Sequence, residues 1–136
     1  MTADATARIA PTNPVSPQDD AGIRATIDDY YLGWYDADGT RMARALHPEL
    51  AKRGWHAIGA PETRVEPDTR ATMVDAAAAG VGRRSEEQGR EYRVEIDDVY
   101  GDVASATVHA VPFVDYLHLV RTPDGWRILN ALWRPA

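Results

Sequence analysis

The feature that most constrains the fold is a change in the spacing of the apolar residues. From Ile23 they recur mainly every three or four positions, as on one face of a helix, whereas from Tyr92 they alternate with polar residues, as on a strand. Helices followed by a run of strands predict an α+β fold in which the helices pack on one face of a curved antiparallel sheet. The 136 residues are enough for one domain, so we expect a disordered tail over residues 1–15 and a single domain over residues 16–136.

Three helices are predicted upstream of Gly80, over residues 17–35, 41–47 and 70–79. Each follows a residue type that commonly caps helix N-termini: Ser16, Thr40 and Asp68. Residues 49–66 contain Gly54, Gly59 and Pro61, and Pro67 follows them. This composition favours an irregular segment that holds only a short strand near residues 55–58.

Four strands are predicted in the C-terminal part of the chain, over residues 92–97, 103–111, 114–121 and 126–134. The sequence Thr-Pro-Asp-Gly at residues 122–125 is typical of a type I turn followed by a glycine bulge. The chain is therefore expected to form an antiparallel meander that ends in a tight hairpin.

The predicted turn sets the register of this last hairpin. One face holds the pairs Tyr116–Leu132, His118–Asn130 and Val120–Ile128. The other face holds the pairs Asp115–Trp133, Leu117–Ala131 and Leu119–Leu129. Because both faces are largely apolar, one is expected to cover the helices and a pocket, and the other to need a cover of its own. The sequence thus predicts a homodimer that forms through the sheet.

The composition excludes several classes of function. Cysteine is absent, which rules out disulfides, thiolate metal sites and cysteine nucleophiles and fits a cytoplasmic location. A net charge of −6 argues against nucleic acid as a partner. No apolar run approaches the ~20 residues that cross a membrane. His47, Glu49 and His56 lack the spacing of a helical metal-binding pair, and no glycine-rich phosphate loop precedes a helix, so neither a metal nor another cofactor is expected.

Two parts of the chain resemble a known family. Residues 30–35 (YYLGWY) and 46–53 (LHPELAKR) resemble the N-terminal half of the "putative lumazine-binding" family. Residues 115–120 (DYLHLV), 124–130 (DGWRILN) and the pair Leu132-Trp133 resemble its C-terminal half. The resemblance spans nearly the whole of residues 22–133.

This resemblance implies a cone-like fold of the nuclear transport factor 2-like superfamily, in which N-terminal helices and a curved, mixed sheet enclose one small-molecule pocket. The family stands beside the SnoaL-like polyketide cyclases. Other members of the superfamily are ketosteroid isomerases, epoxide hydrolases, dehydratases and non-catalytic binding domains. The resemblance therefore implies a pocket and leaves its chemistry open.

Three residues are candidates for acid–base catalysis. His47 precedes Pro48 at a predicted helix C-terminus, where it could act at the mouth of the cone or simply cap carbonyl groups. His118 could serve a ligand if its face lines the pocket, and is otherwise a surface or interface residue. Asp115 beside Trp133 could have a pKa raised by burial, or could simply meet solvent or pair with a neighbouring arginine, Arg134.

The candidate ligand-binding residues are aromatic side chains and one amide, which could instead be ordinary core or surface residues: Tyr31, Trp34, Tyr35, Trp55, Tyr116, Asn130 and Trp133. Three hypotheses follow for the pocket. It could belong to a cofactor-independent enzyme that moves protons on a small apolar or aromatic molecule, as an isomerase, dehydratase or cyclase does. It could bind a heterocycle of the pterin or flavin type without turnover. Alternatively, the cone could be filled by aromatic side chains and serve only to dimerise.

Overall fold

The computed structural model describes residues 5–12, 14–58 and 62–136. Three α-helices are formed, α1 (Pro17–Tyr35), α2 (Gly39–Ala45) and α3 (Arg70–Ala78). Six strands are formed, β1 (Leu46–Ile58), β2 (Glu62–Asp68), β3 (Tyr92–Tyr100), β4 (Val103–Ala110), β5 (Phe113–Thr122) and β6 (Gly125–Pro135). The strands make one sheet in the order β2-β1-β6-β5-β4-β3. Strand β1 runs parallel to β6 and every other pair is antiparallel, so the predicted α+β fold on a mixed sheet is confirmed.

Local side-chain hydrogen bonds set where each helix begins. The Ser16 hydroxyl accepts a hydrogen bond from the Asp19 N–H, as expected for an N-cap, and Pro17 occupies the first turn. The two shorter helices begin one or two residues from the predicted caps. Asp38 caps α2 in place of Thr40, and Thr69 caps α3 in place of Asp68. In both helices a residue within two positions of the predicted cap makes the same type of hydrogen bond, so the helix itself was predicted correctly.

The prediction of an irregular segment was wrong for residues 49–58 and 62–66, while residues 59–61 lie outside the described part of the chain. Strands β1 and β2 form a long antiparallel pair there. The two prolines that flank this segment fit because of their positions. Pro48 lies where the pairing of β1 with β6 shifts register, and Pro67 lies on the edge strand β2, where no further strand needs its missing N–H.

The register of the last hairpin was predicted correctly in its open half and incorrectly near the turn. Asp115 pairs with Trp133, and His118 with Asn130, as predicted. Near the turn Thr122 pairs with Gly125, so the loop has two residues, and the extra residue of the bulge is Leu129. The error therefore stops at the bulge, and the residues that decide the site keep their predicted partners.

The core lies between the helices and one face of the sheet, here called the inner face. Helix α1 contributes Ile23, Ile27, Tyr30 and Tyr31, all buried. The strands contribute buried residues at alternate positions, among them Ala106, Val108, Leu117, Leu119 and Ile128. On the opposite, outer face of the sheet, Tyr116 and Leu132 remain exposed.

The structure describes only part of the predicted N-terminal tail. Residues 1–4 and 13 of the predicted tail lie outside the described residues, and Ala5–Arg8 form a short 3-10 helix with no buried residue. Disorder of the tail stays a prediction. Within the described ranges, no helix is both long and apolar enough to pass through a bilayer.

Candidate functional site

A cavity of about 240 Å³ lies between the helices and the inner face of the sheet. Its lining comes from helices α1 and α3, from four strands and from the loop after α3. The lining residues are Tyr30, Tyr31, Trp34, Lys52, Glu66, Asp68, Met73, Ala76, Val81, Phe113, Asp115 and Trp133. Most of this wall is apolar, and the polar groups converge from β1, β2 and β5, as is usual in small-molecule sites.

Strand pairing brings these polar groups to one face. Gly54 on β1 pairs with Trp133 on β6, which pairs with Asp115 on β5. Lys52 lies two residues before Gly54 on β1, so its side chain projects to the same face of the sheet as that of Asp115. Gly54 lets the Trp133 indole lie across β1, because a Cβ at Gly54 would stand 2.6 Å from that ring.

Asp115 is the most buried polar residue of the cavity, with 1% of its surface exposed. One carboxylate oxygen, Oδ2, accepts a hydrogen bond from the Tyr31 hydroxyl. The other, Oδ1, is buried and has no hydrogen-bond partner among the described residues. Burial raises the pKa of Asp115, while Lys52 and the Tyr31 hydrogen bond act against this shift. A carboxyl with a raised pKa can exchange a proton closer to neutral pH than an exposed one.

Lys52 supplies the positive charge of the cavity wall. It is 9% exposed, and its ammonium donates a hydrogen bond to the Tyr30 hydroxyl. The Nζ atom lies 4.9 Å from the centre of the Tyr30 ring and 5.6 Å from that of Trp133. Burial lowers the pKa of Lys52, and the nearby carboxylates, Asp115 first, act in the opposite direction.

Tyr30 and Tyr31 are adjacent on α1, and both side chains are buried with their rings 5.3 Å apart and nearly perpendicular. Burial is the main cause that raises the pKa of each hydroxyl, so both keep their protons at neutral pH. The Tyr31 hydroxyl uses its proton to bind Asp115. The Tyr30 hydroxyl accepts from Lys52 and retains its own proton for a further acceptor.

The β2 side of the cavity carries more acidic groups. Asp68 and Glu66 line it from the edge strand β2. The Glu66 carboxylate lies 2.8 Å from the His56 ring, and this ring meets the Trp133 indole edge-on at 5.0 Å. Three carboxyl groups and one ammonium therefore line the cavity, which disfavours an anionic ligand.

Comparison with known proteins identifies the family. Residues 18–134 match the sequence model of the family described as "Putative lumazine-binding". The chain belongs to this family. Among curated proteins, none matches it.

Solved structures similar to this putative lumazine-binding family member share its fold. An NTF2-like protein of unknown function from Shewanella baltica is 18% identical, with a TM-score of 0.69 over 91% of this chain and 98% of that one. One from Methylobacillus flagellatus, also of unknown function, is 20% identical, with a TM-score of 0.69 over 92% and 98% of the two chains. A "putative dehydratase" of the NTF2-like family from Streptomyces avermitilis is 15% identical, with a TM-score of 0.55 over 90% and 99%. The predicted nuclear transport factor 2-like fold is thereby confirmed.

The two histidines predicted as catalytic lie outside the cavity of this family member. Helix α2 ends at Ala45 and β1 begins at Leu46, so His47 belongs to a strand and not, as predicted, to a helix C-terminus. Its Nδ1 atom accepts a hydrogen bond from the Glu49 N–H at 3.0 Å. His118 is three residues after Asp115 and so projects to the outer face, where its ring lies 3.3 Å from the Asn130 amide.

The predicted ligand-binding residues divide between two surfaces. Tyr31, Trp34 and Trp133 line the cavity. Trp55, Tyr116 and Asn130 line a groove on the outer face instead. Tyr35 is buried in the core, and its hydroxyl has no hydrogen-bond partner within the described part of the chain. The filled cone expected by the third hypothesis is not what the structure shows, since the aromatic side chains leave the cavity open.

Sequence reasoning missed Lys52, because it assigned no strand to residues 49–54, and it also missed Tyr30, which lies next to the predicted Tyr31 on helix α1. The signal for Lys52 was nevertheless present, since it is the only lysine in the sequence. Among the residues that the structure describes, no group of three or more histidine or acidic side chains is arranged to hold a metal ion.

Proposed function

We propose that this protein is a cofactor-independent enzyme that binds a small uncharged molecule in the inner cavity and moves a proton on it with Asp115. The unpartnered Oδ1 atom of Asp115 carries the proposal. A buried carboxylate oxygen without a hydrogen-bond donor costs stability, so its retention calls for an explanation, and a ligand proton supplies one. The raised pKa of Asp115 supports the same role.

The neighbouring groups have distinct tasks in this proposal. The Tyr31 hydroxyl fixes the orientation of the Asp115 carboxyl through its hydrogen bond. Tyr30 donates its free proton to an oxygen of the ligand and stabilises the negative charge that develops there. The hydrogen bond from the Lys52 ammonium polarises the Tyr30 hydroxyl, which strengthens this donation.

The apolar wall and the acidic groups on β2 select the substrate class. Phe113, Trp34 and Trp133 offer contacts to a ring or a short hydrocarbon chain. A small ketone or enone can pack against this apolar wall, and its oxygen can accept a hydrogen bond from Tyr30. Isomerisation, dehydration and cyclisation of such compounds share one elementary step, the removal of a proton from the carbon next to the carbonyl.

This shared step provides the test. The protein is incubated with cyclohexanone in deuterated buffer near neutral pH, and loss of the α-proton signals is followed by proton NMR. We expect exchange faster than in buffer, with a rate that saturates as the ketone concentration rises. A ketone that binds in the cavity without faster exchange would overturn the proposal.

A second function is favoured by the family description and by the two indoles on the cavity wall. Trp34 and Trp133 could hold a flat heterocycle such as a lumazine, without turnover. Titration with lumazine, followed by quenching of tryptophan fluorescence, tests this function. Tight binding together with an absence of proton exchange on any carbonyl probe would favour it over the enzyme.

The proposal includes a homodimer through the outer face of the sheet. Apolar side chains surround the groove on this face: Trp55, Val65, Tyr116 and Leu132, with exposed fractions of 43%, 51%, 52% and 53%. They lie on neighbouring strands and form one patch, which a second copy could cover symmetrically.

Replacing Leu132 with Asp should dissociate the dimer, because the substitution places a charge in the centre of the apolar patch. Light scattering coupled to gel filtration should give a mass of two 15.0 kDa chains for the unmodified protein and of one chain for L132D. Ile9→Asp, an equally polar change at an exposed site on the tail, serves as the control. A wild-type protein that remains a monomer at high concentration would refute the dimer.

A further inference from the structure

The lysine content of the chain is unusual. Lysine and arginine together number 15, and Lys52 is the only lysine among them. Lysine is normally a surface residue and is almost never fully buried unless it is paired. Here the only lysine is 9% exposed and faces the cavity, while every other cationic side chain of this type is an arginine.

The surroundings of Lys52 are not those of a structural ion pair. Its ammonium donates to a neutral acceptor, the Tyr30 hydroxyl, and lies near two aromatic rings. The ion pairs among the described side chains do not include it. A buried lysine without a fixed carboxylate partner has the setting in which an amine becomes a nucleophile.

We infer that Lys52 is a nucleophile whose amine forms an imine with a small uncharged aldehyde or ketone bound in the cavity. This inference rests on the proposed function for the location of the site and deepens it by adding a covalent step. Burial lowers the pKa of Lys52 and so increases the share of its neutral amine, the form that attacks a carbonyl carbon. An imine draws electrons from the neighbouring carbon, which makes the α-proton easier for Asp115 to remove.

The chemistry balances with groups that line the cavity. The nitrogen lone pair of Lys52 attacks the carbonyl carbon, a C–N bond forms, and the C=O π electrons move to oxygen. Oxygen takes one proton from the attacking nitrogen and a second from protonated Asp115, and leaves as water. A protonated C=N bond, an iminium, remains beside the Asp115 carboxylate, which is then free to accept the α-proton, and the step consumes no oxidant or reductant.

Reduction traps such an imine permanently. The protein is incubated with cyclohexanone at neutral pH, sodium borohydride is added, and the product is analysed by intact-protein mass spectrometry and peptide mapping. We expect an adduct on Lys52 whose mass is that of the ketone less its oxygen atom. Because Lys52 is the only lysine, the α-amine of Met1 is the single competing amine and serves as an internal reference.

Two variants control the assignment. In Lys52→Met and Lys52→Arg the adduct at position 52 should vanish and the adduct at Met1 should remain. Far-ultraviolet circular dichroism shows which of the two folds, and α-proton exchange in that variant should be at least about ten-fold slower than in the wild type. Labelling confined to Met1 in the wild type, while the ketone is bound in the cavity, would overturn the inference.

The outcomes also separate this inference from the proposed function. If the wild type accelerates α-proton exchange but Lys52 gives no adduct, Asp115 acts on the free carbonyl compound and only the imine is refuted. If Lys52 gives an adduct but α-proton exchange is not accelerated, Lys52 is a nucleophile as inferred and the proposed role of Asp115 is refuted. If the ketone neither binds nor reacts, both proposals are wrong.

Discussion

An Asp115→Asn variant should exchange the α-protons of cyclohexanone about 10²–10⁴-fold more slowly than the wild type, the range over which a positioned acid–base group accelerates a reaction. The asparagine side chain nearly matches the carboxyl in shape and can still accept the hydrogen bond from Tyr31. It cannot take up a proton from the ligand. Binding of the ketone, measured separately by NMR titration, should change little.

The matched control is Asp75→Asn on helix α3, where the same chemical change falls on an exposed residue. Its exchange rate should equal that of the wild type. If D115N retained wild-type exchange while folded, Asp115 would not be the proton acceptor, and the cavity would be a binding site of another kind.

The second large effect concerns the pH dependence of stability in Lys52→Met. We expect this variant to be more stable than the wild type near pH 4 and less stable near pH 8, with a swing of roughly 3 kcal/mol in the difference between their free energies of unfolding. Denaturant titrations at intervals between these values measure it. The other titratable groups that line the cavity around Lys52 and Asp115 are the same in both proteins, so they do not cause the difference: Tyr30, Tyr31, Asp68 and Glu66.

The sign follows from the two pKa shifts. Burial lowers the pKa of Lys52, so the wild type keeps a buried ammonium at low pH at a cost that K52M avoids. Burial raises the pKa of Asp115, so its contribution to stability is fully present below the unfolded pKa and is lost as the pH rises through the folded value. In K52M this carboxylate has lost the cation that lowered its pKa, which makes the loss at high pH larger.

The double variant K52M/D115N tests whether the effect belongs to this pair. Both titrating groups are then absent, and the contribution of the pair to the pH dependence should disappear. Parallel stability curves for the wild type and K52M over the whole pH range would show that Lys52 and Asp115 do not interact in the folded protein.

The sequence was informative where a single local rule decides the structure. Helix α1 could be predicted at both ends, because Ser16, Pro17 and an apolar stripe agree. The pairing of Asp115 with Trp133 could be predicted from the turn at residues 122–125, because β6 carries one extra residue as predicted, although that residue is Leu129 and not the turn glycine. Alternation along β5 puts Asp115 and His118 on opposite faces of the sheet. Only the packing of the helices decides which of the two faces is the inner one.

What the sequence could not show depends on contacts between distant segments. Strand β1 pairs in parallel with β6, about 80 residues further along the chain, and no turn signal marks such a pairing. Without β1, Lys52 and Gly54 could not be placed beside Trp133. The site was therefore predicted from β5 and β6 alone. His47 and His118 were predicted as catalytic, although both lie outside the cavity.

The central claim is that the functional site is the inner cavity. The four tryptophans of the chain can test it, because two of them line this cavity and two lie elsewhere. Trp34 and Trp133 line the cavity, Trp55 lines the outer groove, and Trp126 is buried in the core. Their indole N–H signals can be assigned by Trp→Phe variants and followed by nitrogen-15 NMR during titration with cyclohexanone. We predict saturable shifts of the Trp34 and Trp133 signals with little change at Trp55, whereas a shift of Trp55 without one at Trp133 would contradict the account.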